Sequence, residues 1–134
     1  MDTPTATVTG QPLLLLRLEG LATLAAAAIA HDLAGGSWPL FAVLFLLPDL
    51  AMLGYLAGPR AGALAYNLAH SHLAPALVGG AGLATGNEAT VAAALVWVAH
   101  IGFDRALGYG LKYPTGFTAT HLGTIGTRRP SPQV

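Results

Sequence analysis

Four apolar stretches, at residues 13–34, 37–57, 61–83 and 89–110, fill most of this 134-residue chain. About 20 helical residues, rising 1.5 Å each, cross a hydrocarbon core ~30 Å thick, so each stretch is long enough to span a bilayer. A soluble bundle would carry polar stripes at helical period, and residues 89–99 (ATVAAALVWVA) carry none. Charged residues are only 9% of the chain, against about 25% in an ordinary soluble domain. The expected fold is all-α, a four-helix transmembrane bundle with a C-terminal interfacial segment.

The expected organisation is a disordered tail over 1–12, the four-helix transmembrane domain over 13–110, an interfacial or lid segment over 111–126, and a tail over 127–134. Residues 1–12 contain Asp2 and no Lys or Arg. A signal peptide wants a basic leader, so the first stretch is expected to remain as a span. Gly35-Gly36 marks the first hairpin and Ser37-Trp38-Pro39 a helix start with an interfacial aromatic. Gly58-Pro59-Arg60 forms a tight turn that makes the second and third helices antiparallel neighbours. Small residues recur in the helices and permit close helix approach. There is no cysteine, which excludes thiol catalysis and thiolate metal sites, and no basic stripe for nucleic acid.

Each apolar stretch carries polar groups that hydrocarbon penalises. They are Glu19 in the first, Asp49 in the second, Asn67 and His70 in the third, and His100 with Asp104 in the fourth. A charge at mid-membrane costs at least ~2.5–3.5 kcal/mol, so such groups need partners or a purpose. Counted along the helices, all lie at about one depth, ~9–15 Å from the same boundary. His100 and Asp104, at i and i+4, share a helix face, as do Asn67 and His70 at i and i+3. Pro48 kinks the second helix just before Asp49. Imidazole and carboxylate donors suit Zn, Fe or Mn, so Asp49, His70, His100 and Asp104 are the expected ligands of a divalent transition metal. The alternative is a purely structural network, with Arg17 and Arg105 neutralising acids and histidines bonding neighbouring helices. His72 is expected to face away from His70, and His31 and Asp32 to sit at the opposite interface.

The blocks LFLLPDLAMLGYLAGPRAGALAYNLAH and AHIGFDRALGYGLKYPTGFTATHLGTIG closely resemble the bacterial domain of unknown function 4260 family of small integral membrane proteins. The resemblance covers residues 13–126 and implies a bacterial cytoplasmic (inner) membrane location, without a settled activity. It implies that Pro48-Asp49, Gly54-Tyr55, Asn67, His70, His100, Asp104-Arg105, Tyr109-Gly110, Lys112-Tyr113 and Thr120-His121-Leu122-Gly123 belong to the signature.

The leading expectation is a membrane enzyme, metal-dependent or acid/base, with a site open to the cytoplasm and a lipid-like or small-molecule substrate. Glu19, Asp49, Asp104 and His121 are the expected catalytic groups. Tyr55, Asn67, Arg105, Tyr109 and Lys112 are expected to bind substrate, with 111–126 as either a lid or an interfacial belt. The rivals are a small ion, proton or solute transporter and a structural or interaction protein. Membrane lipids are the expected partners, with a homo-oligomer as a further possibility.

Lys and Arg placement sets the expected orientation. Arg17, Arg60, Lys112, Arg128 and Arg129 lie on the side that holds both termini, and the first and third loops hold neither residue type. A reporter fused at residue 134 is expected to remain cytoplasmic. A fusion active only outside the cytoplasm would reverse the orientation.

Overall fold

The computed structural model describes residues 6–126. Helix α1 runs Gly10–Leu33 and α2 Trp38–Phe45, followed by a 3₁₀ helix at Leu47–Ala57. Then come α3 (Pro59–His70), α4 (Leu73–Thr85), α5 (Glu88–Leu107) and a two-stranded hairpin, β1 Ala119–Thr120 with β2 Gly123–Thr124. The chain is mostly helical, with little strand. Three segments, Gly10–Leu33, Trp38–Ala57 and Glu88–Leu107, are long and apolar enough to cross a membrane.

The central element is α5. Against it pack α1, α2 and α4, and the 3₁₀ helix packs on α3. Helices α1 and α5 meet through glycine. A Cβ on Gly20 would lie 2.8 Å from the Gly102 carbonyl oxygen, and one on Gly102 would lie 2.7 Å from that of Gly20. Backbone therefore touches backbone, the close approach that small residues allow. Asn87 starts α5 by accepting from the Thr90 N–H, and Gly108, with φ at +88°, ends it. There the Tyr109 N–H reaches back to the Asp104 carbonyl, closing a Schellman turn.

Two prolines interrupt the apolar passages. Pro48 cannot donate to the carbonyl one turn earlier, so α2 stops at Phe45 and the chain continues as an 11-residue 3₁₀ helix. Three residues per turn stack every third side chain. Leu47, Leu50, Leu53 and Leu56 all face outward, 48–89% exposed. Gly54 lies against Ala61 and Ala65 of α3, while Leu46, Asp49 and Met52 border a cavity, with Leu46 at its exposed edge.

The third apolar stretch is not one helix over 61–83. Its break falls at Ser71-His72, with Ser71 extended at φ −97°, ψ 151°. Pro75, four residues on, lacks the N–H that would bond Ser71 and crowds its carbonyl. The carbonyls freed at the end of α3 are taken by α5: Trp97 Nε1 donates to Ala69 O at 2.6 Å and Arg105 Nη2 to His70 O at 2.8 Å.

The N-terminal expectation also shifts. Helix α1 begins at Gly10, inside the segment expected as a disordered tail. Val8 N–H donates to His121 O and Tyr113 Oη to Ala6 O, so residues 6–8 are tied to the C-terminal segment. Residues 1–5 and the expected tail 127–134 lie outside the described residues.

The glycine crossing sets a mutational contrast. Gly102→Val is expected to cost about 1–3 kcal/mol or more by overpacking, read as a lower unfolding temperature in detergent. Gly80→Ala, with nothing within 4 Å of the added Cβ, is expected to be neutral or stabilising by up to ~1 kcal/mol.

A candidate metal centre at the base of an apolar cavity

Four side chains from three elements converge. Asp49 comes from the 3₁₀ helix just past Pro48, His70 is the last residue of α3, and His100 and Asp104 stand one turn apart on α5. One donor atom from each lies within 4.8 Å of all the others. His70 Nε2 is 3.3 Å from Asp49 Oδ1, 3.3 Å from Asp104 Oδ2 and 3.2 Å from His100 Nε2. His100 Nε2 is 3.3 Å from Asp49 Oδ1 and 3.5 Å from Asp104 Oδ2. Both imidazoles and Asp104 are buried, and Asp49 alone is partly exposed.

The surroundings orient these donors. His70 Nδ1 lies 2.9 Å from the Tyr66 carbonyl, which can only accept, so Nδ1 carries the hydrogen. In the neutral ring Nε2 then points a lone pair into the cluster. That is the arrangement that fixes tautomer and direction in metal-binding histidines. The Tyr66 ring stacks on His70 at 3.7 Å, and its hydroxyl donates to Asp104 Oδ2 at 3.3 Å. The Phe45 ring meets His100 edge-on at 5.0 Å. The His70 lone pair and the two carboxylates thus face one another, with the Tyr66 hydroxyl and, in the tautomer that leaves the partnerless Nδ1 bare, the His100 Nε2–H as donors. One donor atom from each of the four residues could serve a single metal ion.

The centre opens into a cavity of about 350 Å³ bordered by Asp49, Tyr66, His100, Asp104, Tyr109 and Lys112 among apolar residues that include Phe45, Met52, Phe103 and Phe117. One wall is the segment after α5, which folds back onto α3. Asn67 clamps it, donating Nδ2–H to the Lys112 carbonyl at 2.8 Å and accepting the Lys112 N–H at 2.7 Å. Lys112 pairs with Thr120 in an isolated bridge, and its Nζ donates to Phe117 O at 2.8 Å. Burial pulls its ammonium pKa down to about 8, partly opposed by Asp104.

The four residues expected as metal ligands are therefore brought together, and Tyr109 and Lys112 border the same cavity. Other expectations need correction. Glu19 is exposed on α1 and outside the cluster, because the face of α1 that meets α5 is centred on its neighbour Gly20. Asn67 is a backbone clamp. Arg105 donates to the His70 and Tyr109 carbonyls and does not line the cavity. Tyr55 lies over Gly62 and edge-on to Phe117, with its hydroxyl buried and outside the cavity lining. His121 accepts the Leu111 N–H at 2.9 Å and holds the folded-back segment. His31, expected at an interface, is buried in the first hairpin, with Nε2 3.2 Å from Ser37 O and Trp38 and Phe41 around it.

Arg17, offered with Arg105 as a partner for the acids, donates instead to Ala106 O. Among the described residues no arginine pairs with Asp49 or Asp104. Sequence reasoning missed Tyr66, although it precedes His70 by four residues and so shares its helix face.

The chain belongs to the family described as Domain of unknown function (DUF4260), which it matches over residues 13–125. No curated protein and no solved structure matches it.

The pH response of the folded-back segment follows from His121. Burial, with Arg105's charge adding to it, lowers its pKa below the ordinary 6.5. The unfolded chain takes up the proton more readily, so the contribution of His121 is full above pH 6.5 and is lost as the pH falls below it. Unfolding temperatures measured from pH 7 to pH 5 are expected to fall less steeply for His121→Gln than for the unsubstituted protein. Identical slopes would remove His121 from the pH response.

Proposed function

We propose that this protein is a membrane-embedded metalloenzyme whose centre, formed by Asp49, His70, His100 and Asp104, faces an amphipathic substrate in the adjoining cavity. The observation that carries the reading is the spacing of the donor atoms. Five of the six distances among them are 3.2–3.5 Å. Ligands held about 2.0–2.2 Å from one first-row metal stand roughly 3–3.5 Å apart. Two imidazoles and two carboxylates fit Zn, Fe or Mn, and two aspartates balance a divalent charge.

The apolar outer faces of α1 and the 3₁₀ helix support a bilayer location, and the Lys and Arg placement supports a cytoplasmic side for both termini and the cavity. A metal there would lower the pKa of a bound water toward ~7 and supply a nucleophile. The chain's own residues have defined parts. His70 and His100 present nitrogen lone pairs, Tyr66 holds Asp104 in place through its hydroxyl, and the apolar walls exclude bulk water from the centre. A purely structural network, with His100 Nε2–H and the Tyr66 hydroxyl as its donors, is the alternative reading; the convergence of all four side chains on one point favours the metal.

Elemental analysis of the detergent-purified protein is expected to find about one transition metal per chain. His70→Ala and Asp104→Asn should remove most of it. Tyr66→Phe should retain the metal but weaken its binding about 10–100-fold, the usual cost of losing an outer hydrogen bond. Protein that stays folded without stoichiometric metal, and is indifferent to His70→Ala, would end the metal reading.

A further inference from the structure

We propose that the cavity takes an amphipathic anion, its phosphate or carboxylate group held by Lys112 beside the centre and its apolar chain lying along Phe45, Met52, Phe103 and Phe117. The inference rests on the metal reading above and names the substrate class of that site. Lys112 is only 4% exposed, yet it borders the cavity. Its Nζ donates to Phe117 O, lies 3.9 Å from the Phe117 ring centre and 4.4 Å from that of Tyr66. Among the described residues no carboxylate forms an ion pair with it. A buried ammonium without a counter-charge is costly, and two ring faces and one carbonyl offset only part of that.

Charge balance selects the ligand. A divalent ion balances Asp49 and Asp104, and His70 and His100 are neutral when they bind metal. Arg105 is not among the residues that line the cavity, its guanidinium being turned to the His70 and Tyr109 carbonyls. Lys112 is then the uncompensated cation of the cavity, with donors to spare since an ammonium has three. A neutral lipid would leave it without a counter-charge, and a small free anion would leave the aromatic walls bare. An anionic head on an apolar chain answers both. The volume of about 350 Å³ falls at the lower end of the ~300–1,000 Å³ usual for ligand pockets.

The test is calorimetric titration of the purified, zinc-loaded protein in nonionic detergent with decyl phosphate, decanol and inorganic phosphate. Decyl phosphate is expected to bind at least about tenfold tighter than either of the others, over decanol by one charged hydrogen bond or more and over inorganic phosphate by burial of its chain. Lys112→Met should erase the advantage over decanol, Lys112→Arg should keep most of it, and zinc per chain should be unchanged in both. Equal affinity of the unsubstituted protein for decyl phosphate and decanol would overturn the proposal. So would equal affinity for inorganic phosphate, since the apolar walls would then contribute nothing. These comparisons need no variant, so misfolding of Lys112→Met would not blunt the test. Zinc absent from the unsubstituted protein would overturn the metal reading itself. Zinc bound without any preference for decyl phosphate would overturn this inference alone.

Discussion

The hydrogen bonds from Trp97 and Arg105 of α5 to the last carbonyls of α3 let this protein interrupt a helix without leaving those carbonyls unpaired. Where no water can replace them, backbone acceptors must find donors inside the protein, and irregular backbone survives only where protein covers it. With Ala69 O and His70 O satisfied, α3 can stop at His70 and turn the imidazole inward. Arg105 sits one residue past Asp104, so the side chain that caps α3 and the carboxylate that meets its histidine are fixed by the same turn of α5. The break and the site are built from one set of contacts.

Pro48 plays the corresponding part on the second passage. By forcing a change from α-helix to 3₁₀ helix, it alters the side-chain period from 3.6 to three residues per turn. One row of leucines is then committed to the outside while Asp49 is committed to the inside. A continuous α-helix would sweep Asp49 and the leucines around a wider arc. The 3₁₀ helix keeps the single acid of that passage in line with Leu46 and Met52, at the cavity edge. Here Asp49 stays partly exposed while its three companions are buried. The centre therefore has one flank toward the cavity.

The glycine crossing of α1 and α5 gives the site a rigid back. Because α1 lies against α5 at Gly20 and Gly102, it contributes packing and the Arg17 cap on Ala106, but no donor atom. The folded-back segment lines the cavity with Lys112 and Phe117, held by Asn67's paired bonds to the Lys112 backbone. A buried cation and two acids, Asp104 buried and Asp49 partly exposed, thus line one cavity.

Composition and pattern were enough to read the helical class, three of the four apolar stretches as long apolar segments, the turns at Gly35-Gly36 and Gly58-Pro59, and the four residues that cluster. Apolar length and the scarcity of polar residues are local properties, and an acid or imidazole in such a stretch stands out wherever the chain later places it. Glu19 was misread for the same reason. Depth along a helix can be counted, but the face a residue presents depends on which neighbour the helix meets, and α1 meets α5 through Gly20. Two local signals were present and passed over: Pro75, which breaks the third passage, and the leucines at every third position from 47 to 56, which carry the 3₁₀ period. The clamp by Asn67, the capping by Trp97 and Arg105, and the burial of Lys112 had no local signal. Each joins groups 28 to 45 residues apart or follows from such a contact, and pairings of that range exist only once the helices have packed.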